Sequence, residues 1–329
     1  MDLSRQGAGL VVLTPVFNDW ESLTEMLQNL DRVLDESRVD AAVVVVDDGS
    51  TVPLTGQLDG KGYRRISRVE VLQLRRNLGH QRAIAIGLAF VHGERPCDAV
   101  VVMDADGQDR PEDVPLLLQK LQEEGGRTIV FAARMRRSES LLFRACYHGY
   151  RAIHRLLTGV SVRVGNFSVV PFWALGSLVV VSELWNHYSA AIFRSKLPYT
   201  TIPTQRATRL AGDSRMNFFA LVLHGMSALS VFADVIGVRL LVGATVLLGT
   251  VTGGFLTLLV VRIGRGAGLA TFVSGVLLIL AFQATVVSAV LIFNILSARA
   301  NLTFLPIRDY RHFVRDVTKV PISRRPPVS

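Results

Sequence analysis

Ala99-Val-Val-Val-Met-Asp-Ala-Asp-Gly-Gln108 is the stretch on which the fold turns. A short apolar, β-branched run stops at two carboxylates, Asp104 and Asp106, with only Ala105 between them. Carboxylates are not buried unpaired without a large cost, so this strand must end at a rim. The same pattern recurs on either side. Leu10 to Thr14 is apolar, stops at Pro15 and leads to Phe17, Asn18 and Asp19; Ala41 to Val46 runs into Asp47-Asp48-Gly49-Ser50. Val69 to Leu74 and Thr128 to Ala132 read as further strands, the last followed by Arg134. Segments of helical spacing separate them: Trp20 to Leu34, His80 to Val91, Pro111 to Glu124 and Leu141 to Leu157. Buried strands alternating with helices predict an α/β architecture, a mostly parallel sheet with helices on both faces. Ligands of such sheets bind at the carboxyl ends of the strands. The polar tips are therefore expected to converge on one rim. No internal repeat or disordered linker interrupts the pattern.

The 329 residues carry 36 Lys and Arg against 27 Asp and Glu, a net charge of +9, and half of the chain is hydrophobic. That composition excludes a disordered chain. Two cysteines, Cys97 and Cys146, exclude a disulfide scaffold and fit a reducing compartment. The positive charge is not gathered on a recognisable DNA or RNA module, so no nucleic-acid partner is expected.

The apolar residues concentrate late in the chain. Leu240 to Val261 holds 22 residues without a charge, and Gly266 to Ala298 holds 33. A helix of 22 residues spans roughly 33 Å, about one hydrocarbon core. These runs predict a transmembrane hairpin over 238–296, with spans at about 239–261 and 269–294 around Arg262 and Arg265. The segment beyond carries Arg299, Arg308, Arg311, Arg315, Lys319, Arg324 and Arg325. The positive-inside rule then puts both the first domain (1–213) and a basic tail (297–329) in the cytoplasm, on a multi-pass protein of the cytoplasmic (inner) membrane. Residues 214–237 read as interfacial amphipathic helices. Met1 to Gly9 is polar and the apolar run after it is short, so no signal peptide is expected.

Asp104 and Asp106 offer oxygen ligands suited to Mg²⁺ or Mn²⁺ shared with a diphosphate, and Gln108 could add a neutral oxygen. Arg75 to Gln81 forms a basic loop before a helix, with amide donors suited to phosphate. Taken singly, each segment reads equally as a solvated turn. Glu183 and His187 could serve as acid or base, as could His80 and His224, but all four read first as surface or capping residues.

Together the segments resemble the family 2 glycosyltransferases of the GT-A fold, and most closely the dolichol- and polyprenyl-phosphate sugar synthases. The resemblance rests on Pro15-Val-Phe-Asn18, Val46-Asp-Asp-Gly-Ser50, Arg76-Asn-Leu-Gly-His-Gln-Arg-Ala83, Asp104-Ala-Asp-Gly-Gln-Asp-Arg-Pro-Glu112 and Arg206-Ala-Thr-Arg-Leu-Ala-Gly-Asp-Ser-Arg215. It covers roughly residues 8–235. It implies that Pro15, Phe17, Asp19, Val46 and Asp48 line a nucleoside pocket. Asp104, Ala105 and Asp106 would hold the ribose and a metal–diphosphate, with Gln108 nearby. Arg134 would reach the donor diphosphate. Arg209 and Arg215 would clamp phosphate, and Arg206, Arg209 and Arg215 would meet the acceptor phosphate. The implied activity is inverting transfer of a hexose from a nucleotide-sugar to a polyprenyl phosphate, a UDP-sugar being placed ahead of GDP-mannose. Homo-oligomers occur among the family's anchored members.

One departure bears on mechanism. Gly165-Asn166-Phe167 stands where the family commonly has Gly-Asp-Phe, whose aspartate is often proposed as a base. An amide cannot take that proton, but an acceptor phosphate monoester, with a second pKa near ~6, is already ionised at neutral pH. Asn166 thus fits a phosphate acceptor better than a sugar hydroxyl. It also leaves open a non-catalytic membrane-anchored partner that keeps a nucleotide-sugar pocket. A processive polysaccharide synthase is disfavoured, because the chain lacks a Gln-x-x-Arg-Trp segment.

Overall fold

The computed structural model describes residues 9–54, 58, 60–134, 155–159, 164–205, 225–261, 268–300 and 304–324. The chain forms two compact units. One comprises Met1–Ser140, Val162–Val231 and Phe304–Ser329, the other Leu141–Ser161 and Phe232–Thr303.

The first unit is built on β1 (Leu10–Val16), α1 (Trp20–Ser37), β2 (Ala41–Asp47), β3 (Gly62–Tyr63), β4 (Ile66–Leu74), α2 (His80–Glu94) and β5 (Ala99–Val102). It continues through a 3₁₀ turn at Pro111–Asp113, α3 (Val114–Glu123), β6 (Ile129–Arg134), β7 (Ser168–Pro171), α4 (Phe172–Leu178), a second 3₁₀ turn at Ser182–Trp185, α5 (Tyr188–Ser195) and β8 (Tyr199–Thr204). After the second unit come α8 (Pro306–Phe313), β9 (Val314–Lys319) and β10 (Ser323–Arg324). The main sheet runs β8-β6-β7-β5-β1-β2-β4-β9. It is parallel except at β7 and β9, so the sheet is mostly parallel as expected.

Strand residues alternate between two cores, as a period of two requires. Leu10, Val12, Val43 and Val45 pack with Leu23 and Leu27 of α1 and Leu117 of α3. Val11, Leu13, Val44 and Val46 pack on the other face with Ile84 and Leu88 of α2 and with α4 and α5. Helix α2 lies so close that a Cβ on Gly87 would stand 2.6 Å from Leu13 Cδ1 and 2.7 Å from Val46 Cγ2. Hydrophobic burial on both faces explains why these strands read as continuous apolar runs rather than alternating ones.

Two strand details differ from the sequence expectation. β1 does not stop at Pro15 but runs through it to Val16. Leu13 O accepts the Met103 amide on the β5 side, while Val16 O accepts the Asp48 amide on the β2 side. Pro15, in phase with Leu13, therefore turns its nitrogen toward β5, whose pairing with β1 has already ended at Leu13. Its missing N–H breaks no ladder bond. The second difference is β7, which is antiparallel to both β5 and β6. An antiparallel strand begins where its parallel neighbours end, and this carries Asn166 to the carboxyl rim.

The segment expected to be a basic tail is folded into the first unit. β9 pairs with β4, from Glu70↔Lys319 to Leu74↔Val314, and β10 pairs with β3. An open β4 edge would expose a row of unpaired amides and carbonyls, and the tail covers it. Phe313 packs with Phe304 on Trp185 at ring distances of 5.1 and 3.9 Å. Tyr310 of α8 is buried and donates to Glu94 Oε1 at 3.1 Å. The charges of β9, Arg315, Asp316 and Lys319, sit on an exposed edge strand, and its residues leave no period-two pattern to read in the sequence.

The second unit contains α6 (Ala233–Val261) and α7 (Leu269–Ala300), packed against each other. Their most apolar windows have mean hydropathies of 2.0 and 2.6, with 0% and 11% of the residues buried, and both helices are long and apolar enough to cross a membrane. Thr245, Thr250, Thr252, Thr257 and Thr285 turn their hydroxyls back onto carbonyls one turn earlier. That satisfies the polar atoms a hydrocarbon environment could not. α6 begins at Ala233, inside the stretch expected to be interfacial. Of that stretch, 214–224 lies outside the described residues and 225–230 is helical; most of the expected helix over 141–157 also lies outside them, and 155–157 is helical.

Candidate functional site

The tips of β5, β1 and β2 are adjacent in the sheet. Neighbouring strands lie about 4.8 Å apart, so the three polar tips share one rim. β6 and β8 run parallel to each other and end on it too, at Arg134 and Thr204, which are paired. The chain leaves β8 there, just before Arg206. Arg206, Arg209 and Arg215 lie outside the described residues.

At the β5 tip, buried Ala105 separates half-buried Asp104 and Asp106. Asp109 is buried and accepts the Asp104 amide at 2.9 Å. Asp106 Oδ1 accepts the Gln108 amide at 3.0 Å, closing a local turn through Gly107. At the β1 tip, Phe17 is 37% exposed, an aromatic face open on the rim. Asn18 next to it has a left-handed φ of 51°. Its Oδ1 accepts the amides of Thr51 and Val52, both at 2.9 Å. The β1 tip and the loop after β2 are thereby stapled together, with half-buried Asp19 following.

At the β2 tip, Asp47 Oδ1 accepts the Ser50 amide at 2.9 Å. Asp48 is buried, and its two oxygens accept the amides of Leu78 at 2.7 Å and Gly79 at 2.9 Å. Burial holds the Asp48 carboxyl above its usual range, against the lowering effect of those two amides. Two expectations change here. Asp48 does not line an open pocket but pins the basic loop. The loop in turn does not offer its Leu78 and Gly79 amides to phosphate, because Asp48 has them. Val46, expected in the pocket wall, is fully buried against α2, and Pro15 is buried in β1. Gly49 permits the close approach: its φ is 70°, and a Cβ there would stand 2.5 Å from the Arg76 carbonyl carbon.

The loop pinned by Asp48 delivers His80, the first residue of α2. His80 Nε2 lies 3.1 Å from Asp104 Oδ1 and 2.9 Å from Asn166 Nδ2. Burial of the ring opposes the charged form, but the carboxylates of Asp104, Asp109 and Asp106 outweigh it and raise the imidazole pKa above its ordinary value. This corner of the rim attracts positive charge. His80 was missed in the sequence, where it looks like any residue at a helix start; its signal was its place directly after the Asn-Leu-Gly turn. Asp109 was missed as well. His187, by contrast, is the helix cap it was expected to be, accepting the Ala190 amide with Nδ1.

Carboxylate oxygens are the donor class that a divalent cation of the Mg²⁺ type takes. Two carboxylates and an imidazole stand at one tip, but among the described residues no three His, Cys, Asp or Glu side chains are grouped so as to hold a metal ion. A cation of the Mg²⁺ class is commonly held by one or two carboxylates and completed by substrate phosphates. Asp104 and Asp106 would hold it, with Gln108 at hand.

The family model described as glycosyl transferase family 2 matches residues 11–184, more than half of the chain. The chain belongs to that family. Curated relatives include two undecaprenyl-phosphate 4-deoxy-4-formamido-L-arabinose transferases. The one from Erwinia tasmaniensis is 26% identical over 223 residues, covering 64% of each chain. The one from Edwardsiella ictaluri is 30% identical over 220 residues, again covering 64% of each. The family 2 chain thus spans a little under two thirds of the length of these relatives. Among solved structures, mannosyl-3-phosphoglycerate synthase from Rubrobacter xylanophilus superposes with a TM-score of 0.48 at 15% identity, covering 68% of this chain and 72% of that one.

Proposed function

We propose that this family 2 protein is a membrane-anchored, inverting glycosyltransferase that moves a hexose from a nucleotide-sugar to a polyprenyl phosphate. The observation that carries the reading is the meeting of the β5, β1 and β2 tips, with Asp104, Asp106 and Phe17 on one rim. That these relatives are undecaprenyl-phosphate sugar transferases supports the lipid-phosphate acceptor, and the two long apolar helices support anchoring.

In this reading Phe17 and Asp19 contact the nucleoside. Asp104 and Asp106 would hold a divalent cation, and Arg134, Arg209 and Arg215 would contact the phosphates. Bound there, the cation supplies Lewis-acid stabilisation of the leaving diphosphate. An ionised oxygen of the acceptor phosphate attacks the anomeric carbon. The bond from that carbon to the donor's phosphate oxygen breaks, and the nucleoside diphosphate leaves with the electron pair. One in-line displacement inverts the anomeric centre. No protein base is required, which is compatible with Asn166. The protein's share is positioning and electrostatics. The arginine-rich segment after α7 supports a cytoplasmic catalytic face, and the donor is taken to be a UDP-sugar ahead of GDP-mannose.

The test is a screen of UDP- and GDP-sugars against short polyprenyl phosphates with the detergent-purified full chain, scored by product mass. A glycosylated lipid phosphate is the expected product. Nucleotide-sugar binding with no product from any donor would favour the non-catalytic partner instead.

A further inference from the structure

A narrow recess opens on the rim beside the acidic tip of β5. It is lined by Gln108, Arg110 and Asp113 of the segment after β5, by Phe167 just before β7, and by Thr204 and Gln205 where the chain leaves β8. Its free volume is about 10 Å³, room for a single water-sized group.

Asp113 is only 8% exposed. It stands at the N-cap of α3, where an aspartate ordinarily accepts an amide of the first helical turn. Its side chain makes no such bond. The Arg110 guanidinium lies toward Glu112 instead, at 3.6 Å. Among the described residues no hydrogen-bond donor reaches the Asp113 carboxylate. Burial holds that carboxyl above its usual range, and Arg110 opposes the effect without cancelling it. A carboxylate buried in this way is costly unless something donates to it.

The lining says what that donor is. An anion would meet Asp113 and the neighbouring Asp109, and a cation would meet Arg110. A neutral hydroxyl meets neither obstacle, because it donates to a carboxylate and accepts from an amide or a guanidinium. Thr204, Gln108 and Gln205 supply the neutral polar part of the lining, and Phe167 supplies an apolar side for C–H groups. A whole sugar ring is too large for the recess, so one hydroxyl enters and the ring stays on the rim.

We propose that Asp113 selects the donor sugar, its carboxylate accepting one hydroxyl of the hexose inside this recess. The proposal rests on the nucleotide-sugar reading given above. A site built around a hydroxyl strongly rejects an analogue without it, because its own polar group is then left buried and unpaired. A carboxylate kept unpaired for a ligand also lowers the stability of the free protein, and a neutral side chain of the same shape restores it.

Titration calorimetry on the detergent-purified full chain tests this, with a panel of UDP- and GDP-hexoses and the monodeoxy analogues of the tightest binder. In the wild type one analogue should bind about 10–100-fold more weakly than its parent, the worth of a hydrogen bond to a charged group. Asp113→Ala should bind parent and analogue alike, and should bind the bare nucleotide as the wild type does. Asp113→Asn, which keeps an acceptor oxygen without the charge, should fall between the two and should melt no lower than the wild type. A deoxy preference that survives Asp113→Ala, an equal loss of affinity for nucleotide and nucleotide-sugar, or a lower melting temperature of Asp113→Asn would overturn the proposal. Transfer to a lipid phosphate is read separately. Selective sugar binding through Asp113 with no product would remove the transferase reading and leave the recess assigned, whereas no binding of any nucleotide-sugar would overturn both.

Discussion

Asp109, buried behind the rim, accepts the backbone amide of Asp104 at 2.9 Å. The direction of the first acidic tip is therefore set by a carboxylate five residues further along. Asp109→Ala removes the acceptor and lets that tip drift. Transfer should fall by about 10²-fold, the usual effect of a 1 Å misplacement. The accompanying loss of stability should be about 1–3 kcal/mol. Asp109→Asn, which keeps one oxygen for the amide, should retain most of the activity. Steady-state kinetics and a thermal melt on both variants check this.

Gly49 lets the Asp47-Asp48 turn touch the basic loop. Gly49→Ala would bring a Cβ to 2.5 and 2.6 Å from backbone atoms of Arg76 and Asn77, at a φ of 70°. Backbone cannot yield as a flexible side chain does. Destabilisation of at least about 1–3 kcal/mol is expected, together with weaker nucleotide binding as the loop carrying His80 is pushed away. Denaturant titration and calorimetry with UDP measure the two effects.

Glu70 is fully buried on β4, and Arg95 holds it with two hydrogen bonds of 2.6 and 3.0 Å. Arg95 also lies over the Phe90 ring, 4.9 Å from its centre. Arg95→Ala would leave Glu70 only the longer, 3.7 Å approach of Arg68 and should cost about 3 kcal/mol. Replacing both residues by Met should recover most of that loss. The comparison of the two melting curves is the measurement.

Much of this architecture was legible because buried parallel strands need unbroken apolar runs, and those of Ala41–Val46 and Ala99–Met103 are plain. The acid-bearing tips were legible for the same reason: a charge directly after such a run marks its exit from the core. What stayed hidden depended on partners distant in sequence. Val314–Lys319 looks like a charged tail until the open β4 edge supplies its pairing. Asp48 looks like a pocket acid until the Leu78 and Gly79 amides, thirty residues on, are found on its oxygens. His80 gains its meaning from Asp104, just after β5, and Asn166, just before β7.

The tail is held in part by Glu94, whose Oε1 accepts from Arg311 at 2.5 Å and from Tyr310 at 3.1 Å. The Arg311 bond, followed by the Tyr310 bond, holds the Glu94 carboxyl below its ordinary value of 4.5. A carboxyl depressed in the folded state stabilises docking above its ordinary pKa and loses that contribution as pH falls through the folded value. Exchange protection of the β9 amides should hold from pH 7 to 5 and decline below 4.5. Glu94→Gln should be less protected at pH 7 and flatter with pH. The effect will be small, because Arg311 is 72% exposed and exposed pairs are screened.

Mass spectrometry of the lipid product, with and without a divalent cation, tests the acidic rim most directly. Purified full chain given nucleotide-sugar and a short polyprenyl phosphate should form a glycosylated lipid phosphate with Mn²⁺ or Mg²⁺. It should form none in excess EDTA, and Asp104→Asn with Asp106→Asn should abolish the product while the protein stays folded. Undiminished product in EDTA, or from that double variant, would contradict a cation held between the strand tips.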